Sequence, residues 1–254
     1  MTRPLRFVRQ QTVSPARKGT KEPRRGLSCA LFLTELGSAL RPKMSSRLTA
    51  FFNRLDDAAV WSGGPCSPDT MSQALLRSDS HREMVRLHDG LIAFEGGLRC
   101  FGATTQRLPS LTEWNRPQGW RLAYQSLADG LLVFAEDAFG NQFAFEADRI
   151  VRFVAETAER EFMADSLEEW LEILMRDPDE ELALWLLREW KAPDRVLQPD
   201  EHLCPKVPFV AGGPYESRDL YVLDRNQSMV FKGDLAWQIR NMPDRGKVRL
   251  KVID

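Results

Sequence analysis

The sequence predicts an α+β fold, a mainly antiparallel sheet flanked by helices, with a small α+β C-terminal extension. Three observations carry this. Apolar strands in the middle of the chain follow one another across turns too short for a helical crossover. Amphipathic helices bracket that stretch on both sides. The 254 residues are 43% hydrophobic and 28% charged, enough apolar material for one large core.

The elements follow in chain order. Residues 1–43 hold ten Lys or Arg against Glu22 and Glu35, a net of +8, so the other 211 residues carry −9 of the total of −1. The head "MTRPLRFVRQQTVSPARKGTKEPRRG" has few apolar residues and the composition of a disordered tail. It reads as a nucleic-acid-binding arm, as a targeting segment beginning at Arg24-Arg25, or as sequence upstream of a start at Met44. The last is preferred, because Met44 stands directly before Ser45-Ser46 and a clean helix. Glu35 interrupts "GLSCALFLTELGSAL" and no A-x-A pattern follows, which disfavours export and a membrane span. The folded domain is therefore placed at 44–190 and the extension at 191–254, with a cytoplasmic location expected.

From Ser46, Leu48, Phe51, Phe52, Leu55 and Ala59 line one helical face. "WSGGPCSPDT" reads as a loop, and Ser67-Pro68 starts a second helix through about Arg77. "SHREMVRLHDG" reads as a short helix ending at Gly90. "LIAFEGGLRCFG" supplies strands joined at Gly96-Gly97, where paired glycines permit positive φ. Residues 104–130 are irregular and contain Trp114, Trp120 and Tyr124.

Leu131 to Ala135 is continuously apolar, as in a central strand covered on both faces; Gln142 to Phe145 and Ile150 to Val154 are its neighbours. Asp137 to Asn141 forms the hairpin turn between the first two, with Gly140 supplying positive φ. Ser166-Leu167-Glu168-Glu169 has the spacing of a capping box, and Leu167, Trp170, Leu171 and Leu174 then repeat at helical spacing. Asp177-Pro178 starts the next helix, with Leu182, Trp185 and Leu186 inward. The extension reads as strand "DLYVL", turn "DRNQ", strand "SMVF", a helix capped by Asp234 and strand "KVRLKVI".

Little in this pattern points to catalysis. Cys29, Cys66, Cys100 and Cys204 form no C-x-x-C, and three histidines (His81, His88, His202) lack ligand spacing, so neither a metal nor another cofactor is expected. There is no G-x-S-x-G elbow, H-E-x-x-H motif or phosphate loop. Glu136 and Asp137 are adjacent carboxylates, but on a strand they point to opposite faces, and a solvated strand end is the simpler reading. Phe139 either folds onto a neighbouring face or stays exposed for a partner; Trp114 and Trp120 are candidate interface anchors. Between Ala155 and Leu187 eleven acids face two arginines, a net of −9. Glu168, Glu169 and Glu172 fall opposite the leucines and Trp170, so they form either a solvated helix face or an acidic surface for a basic protein.

A helix ending in "HDGL", then "AFEGGLRCFG", the loop "EWN", the strand pair "LVFAEDAFGNQFAF", the strand "RIVRFV" and the closing "ADSLEEWLEIL" resemble the SUKH superfamily, which includes bacterial toxin-immunity proteins and a fungal regulator of cell-wall synthesis. The resemblance covers about Met44 to Arg176 and implies an α+β fold with a binding role and no catalytic residues. The expected function is an immunity protein that occludes a cognate, basic toxin through Glu168, Glu169, Glu172, Asp137, Phe139, Trp114 and Trp120. The alternatives are a cytoplasmic regulatory scaffold and a hydrolase using carboxylates near Glu136. Neither a membrane nor a nucleic acid is an expected partner. The sequence sets no oligomeric state.

Overall fold

The structure, a computed structural model, describes residues 46–66, 75–192 and 194–242, with side chains from residue 52 onward. The basic head, Cys29 and the strand expected at "KVRLKVI" lie outside the described residues. Of the helix expected from Ser67 to Arg77, only residues 75–77 are described. The described residues fall within one compact unit.

Seven strands pair in chain order, each antiparallel to the next: β1 Ala59–Ser62, β2 Leu91–Ala93, β3 Leu98–Cys100, β4 Leu131–Asp137, β5 Gln142–Glu146, β6 Arg149–Phe153 and β7 Arg160–Ala164. The fold is α+β, with helices on both faces of this meander. The central β4 is buried at every position, as its apolar run requires. The two outermost strands, β1 and β7, escape the sequence reading for a shared reason. Edge strands are short and half solvated, and both alternate between partly and fully exposed positions along most of their length.

One face of the sheet carries α1 Ser46–Asp57, α2 Asp79–Leu87 and α5 Leu167–Arg176. Phe52 and Leu55 of α1 are buried, and Arg54 donates to the Met175 carbonyl at 3.1 Å, fastening α1 to α5. The α5 helix begins as expected: Ser166 Oγ accepts from the Glu169 N–H at 3.2 Å, and the Glu169 carboxylate reaches back to the Asp165 N–H at 2.9 Å. Its inward residues Leu167, Trp170, Leu171 and Leu174 are all buried. Trp170 meets Phe134 and Phe143 edge-on at 5.0 and 5.3 Å, and Phe134 meets Phe145 at 4.8 Å. Each such pair adds about 0.5–1.5 kcal/mol beyond area burial.

The opposite face is covered by residues read above as irregular. They form two short helices, α3 Leu111–Trp114 and α4 Arg121–Tyr124. Trp114 and Trp120 are core residues, not exposed anchors: both are buried, packed in a tilted and edge-on series with Tyr124 and Phe153. Each indole N–H has an internal acceptor, Gln142 Oε1 for Trp114 and the Trp114 carbonyl for Trp120. Prolines and a glycine disguise this segment as a loop, yet its aromatic residues fill the sheet's second face.

Beyond α5 come α6 Pro178–Glu181 and α7 Leu184–Lys191. Ala183 sits between them at φ 47°, a left-handed residue that breaks the single helix expected there and changes its phase. Trp185 is consequently 43% exposed instead of inward, while Leu182 and Leu186 are buried. In the C-terminal residues, β8 Glu201–Pro205 pairs with β9 Leu220–Asp224, and α8 Arg225–Ile239 follows without a break. The expected turn "DRNQ", strand "SMVF" and cap at Asp234 are replaced by this one helix. Its cap is Asp224, which accepts from the Gln227 N–H at 3.0 Å. The inward face of α8 includes Arg225, Ser228 and Lys232, while Val230 and Phe231 are each 40% exposed. That inversion hides the helical period from a hydropathy reading. No helix among the described residues is long and apolar enough to cross a membrane.

His81 of α2 is fully buried against Phe134 and Phe145, and neither ring nitrogen has a hydrogen-bond partner among the described residues. Burial pushes its pKa down to about 3, so the folded state holds a neutral imidazole. Between the ordinary histidine value near 6.5 and about 3, the unfolded chain binds the extra proton. Stability is therefore complete above that range and falls by about 1.4 kcal/mol per pH unit on acidification. Replacing His81 by Leu should flatten the stability–pH slope between pH 6 and 4, as read by urea unfolding at several pH values. An unchanged slope would place the acid sensitivity elsewhere.

Candidate functional site

The registers of β3, β4 and β5 set Arg99 opposite Glu136 and Glu136 opposite Gln142. These three polar side chains stand in a row on the face covered by α8 and β8. All are buried, Glu136 completely. Arg225 Nε, from the first turn of α8, lies 2.8 Å from Glu136 Oε1, and Arg99 lies 3.6 Å from the same oxygen. His202 Nε2 is 3.2 Å from Glu136 Oε2, which also accepts from Gln142 Nε2 at 3.3 Å. The guanidinium groups also donate to backbone carbonyls: Arg99 to Glu201 and Gln198, Arg225 to Pro199. One carboxylate thus joins the central strand to the C-terminal β8 and α8.

The neighbours decide its ionisation. Burial works to raise the Glu136 pKa, but Arg225, His202 and Arg99 together outweigh it and hold the carboxyl far below its ordinary range. Desolvation lowers His202 to about 4 despite Glu136 beside it, and lowers Arg99 to about 10. At neutral pH the group is a carboxylate between two guanidiniums with a neutral imidazole at its side.

His202 Nδ1 lies 3.2 Å from Ser228 Oγ, so Ser228, His202 and Glu136 form a serine–histidine–acid chain. All three are completely buried, and Ser228 Oγ is further engaged by Lys232 Nζ at 2.9 Å and by Cys204 Sγ at 3.2 Å. A nucleophile must present its oxygen to a substrate; this one faces the interior. The chain is a structural brace, and Glu136 is neither the solvated strand end expected nor an acid accessible to substrate. A second such constellation lies at the surface: Ser62 Oγ is 3.1 Å from His88 Nδ1, and His88 Nε2 is 3.4 Å from Asp56. There the Gly64 N–H donates to Ser62 Oγ and the Gly63 N–H to the Gly90 carbonyl, so neither is free to stabilise an oxyanion. Among the described residues no cluster of three or more His, Cys, Asp or Glu is placed to hold a metal.

Asp137 points the other way from Glu136 and is also buried. It accepts from the Phe139 and Asn141 N–H groups at 2.8 and 2.9 Å and from Asn141 Nδ2 at 2.8 Å, closing the turn. Burial pushes its pKa up, opposed chiefly by the Asn141 side chain. Phe139 is buried as well, and its carbonyl accepts from Lys232 Nζ at 2.6 Å. Neither residue is presented to a partner. Gly140 has φ 84°, and a Cβ there would stand 2.8 Å from His202 Nδ1 and 3.2 Å from Lys232 Nζ. Glycine is required by the conformation and by the closeness of the C-terminal residues.

The acids on α5 have three different settings. Glu168 is partly buried and accepts from Ser80 Oγ, bridging α5 to α2. Glu169 is exposed and completes the helix cap; Glu172 is partly exposed on the same outward side. Asp165, Asp177, Asp179 and Glu180 are exposed nearby, with Arg188 paired to Asp179 at 2.7 Å. Of the three acids expected on the outward face of α5, Glu169 is exposed, while Glu168 and Glu172 are half-buried and Glu168 is bonded to Ser80. Sequence reading missed Arg99, His202, Arg225, Ser228 and Lys232. Two charged residues set in apolar strands, Arg99 in "LRCF" and Glu136 in "LVFAED", were the available signal of a buried pair.

Replacing Glu136 by Gln should destabilise the fold by about 3–5 kcal/mol, because it strands two buried guanidiniums, and urea unfolding would read that loss. Gly140→Ala should cost at least about 2 kcal/mol from positive φ and from the collision with His202 and Lys232. A loss below about 0.5 kcal/mol in either variant would contradict the tight junction described above.

No family model matches the chain, and no match is found among curated proteins. Among solved structures it is similar to Atu4351 from Agrobacterium tumefaciens, at 14% sequence identity over 72% of this chain and 88% of that one, with a TM-score of 0.48.

Proposed function

We propose that the chain is a non-catalytic protein-binding module of the SUKH type, an immunity protein that neutralises a cognate toxin by occluding it in the cytoplasm. The observation that carries this reading is the exposed acidic surface formed by the outward side of α5 with α6. Asp165, Glu169, Asp177, Asp179 and Glu180 project there from a rigid aromatic core. Charges held on a firm scaffold steer a basic partner and reject an acidic one. The quoted SUKH-like segments, from "HDGL" to "ADSLEEWLEIL", support the same reading. Against the hydrolase alternative, Glu136 and Asp137 are both consumed by internal contacts. Trp114, Trp120, Asp137 and Phe139 leave the candidate interface because they are buried, so recognition rests on the acidic side of α5 and α6.

The test is charge reversal at two exposed positions on that side, Asp165→Lys with Glu180→Lys. Thermal stability should change by less than about 1 kcal/mol. Association with a co-encoded basic toxin should slow by on the order of tenfold at low salt, where the Debye length is about 30 Å, and by less near physiological ionic strength. Protection of toxin-expressing cells should weaken in step. Unaltered association by a folded variant would remove this surface from the interface.

A further inference from the structure

Between residues 105–120 and the first turn of α8 lies a cleft of about 190 Å³, whose lining includes Arg107, Arg116, Gln118, Glu113, Arg225 and Asn226. Arg107 and Arg116 are exposed. Arg225 is 95% buried, and its guanidinium sits over the Trp114 ring at 5.6 Å while its Nε faces Glu136. We propose that this cleft binds a phosphate monoester group, an assignment independent of the acidic surface on the other side of the sheet.

Charge is the first argument. Three guanidiniums face one carboxylate in the lining, an excess of two positive charges, and a phosphomonoester carries close to two negative ones at neutral pH. Glu113 is partly occupied by an internal bond, its Oε2 accepting from Thr105 Oγ1 at 2.7 Å. Geometry is the second. A tetrahedral dianion takes donors from several directions, and the Arg107 and Arg116 forks line the space together with Gln118 and Asn226, whereas a planar carboxylate is satisfied by a single fork.

The interior behind the cleft supplies the third argument. Glu136 is the one carboxylate in contact with both Arg99 and Arg225. The ammonium of Lys232, close by, is bonded to neutral oxygens of Phe139 and Ser228. Asp137 acts on Arg99 and Glu156 on Lys232 only through space, their oxygens taking Asn141 and the Val210 N–H. Among the described residues, Arg99 and Arg225 therefore share one contacting carboxylate, Glu136. Arg225 is the member of that group that reaches the cleft. An anion seated on Arg107 and Arg116 would lie beside the inner Arg225, which is almost fully buried. The Asp224 carboxylate already takes the Gln227 N–H, so the site depends on the guanidiniums and not on the helix end.

Titration of the full chain with inorganic phosphate, at ionic strength held constant with sodium chloride, tests the proposal by calorimetry or by NMR. Saturable binding in the millimolar range or tighter is expected. Arg107→Ala with Arg116→Ala should weaken it by at least about tenfold while leaving the fold intact by circular dichroism, since both side chains are exposed and the packing lost is the Arg107 guanidinium over the Trp61 ring at 5.8 Å. Asn226→Asp serves as a second variant: an acid in the first turn favours the helix, so stability should hold or rise while phosphate affinity falls. Phenyl phosphate should outcompete benzoate at equal concentration. The proposal is overturned by non-saturating phosphate titrations, by undiminished affinity in both variants, or by benzoate binding as well as phenyl phosphate.

Discussion

The contact between the Glu136 carboxylate and the Arg225 guanidinium joins the central strand to the last described helix, and much of the remaining arrangement follows from it. Taking a carboxylate and two guanidiniums out of water costs several kcal/mol per ion. That cost is offset only where partners are close and their other polar atoms are satisfied. Arg99 and Arg225 meet most of the requirement by donating to carbonyls of Gln198, Pro199 and Glu201, although Arg99 Nε has no hydrogen-bond partner among the described residues. The segment leading into β8 is thereby fixed as well. Rotating α8 by one residue would bring Asn226 to the carboxylate and carry Arg225 away from it. The polar contacts thus reinforce the register of α8 that Met229, Leu235, Ala236 and the close approach of Gly233 to Tyr124 also set.

The sheet separates two kinds of packing. On the α2 and α5 side, aromatic rings fill the space, and the buried polar exceptions are few. His81 is one of them, neutral and without a hydrogen-bond partner among the described residues. On the α8 side, aromatic rings are interleaved with ions and amides, and Gln142 links the two by accepting from Trp114 while donating to Glu136. Because side chains alternate along a strand, adjacent Glu136 and Asp137 report one to each side. Glu136 is held ionised by cations; Asp137, among backbone N–H groups and Asn141, is pushed the opposite way by burial. Two neighbouring carboxylates acquire different chemistry from the two layers they enter.

The sequence disclosed the elements whose inward faces are apolar. The face of α5 was legible from Leu167, Trp170, Leu171 and Leu174, β4 from its unbroken apolar run, and the Gly140 turn from glycine in a hairpin. What stayed hidden has a common physical cause. The face of α8 that turns inward contains Arg225, Ser228 and Lys232, so its period looks inverted. Trp114 and Trp120 are surrounded by proline and glycine, which signal a loop although their rings are core. Edge strands β1 and β7 alternate in exposure, but their exposed positions include Val60 and Phe162, so hydropathy does not follow the alternation. In the buried site, long-range pairs such as Arg99 with Glu136 and Glu136 with Arg225 depend on register and docking. Local spacing carries neither. The outward position of Glu169, by contrast, needed only the helical phase of α5, from which the half-buried Glu168 and Glu172 depart.

The same layering bears on how ligands at the two proposed surfaces would influence each other. The acidic side of α5 and α6 rests on Trp170, Phe143 and Arg152, the last paired with Glu181 of α6 at 2.6 Å. The arginine cleft rests on Trp114 and on Arg225, and through Arg225 on Glu136. Between them lies the sheet, where Glu136 and Asp137 are consecutive residues but enter opposite layers. An anion in the cleft competes with Glu136 for Arg225 and so acts first on the α8 docking. For that pull to reach α5 it would have to displace β4, which is hydrogen-bonded on both sides and buried throughout. Close-packed strands resist such displacement, and sites that share no partner residues are expected to act additively. The two proposed surfaces, one acidic and one basic, are therefore expected to act independently across the sheet that separates them.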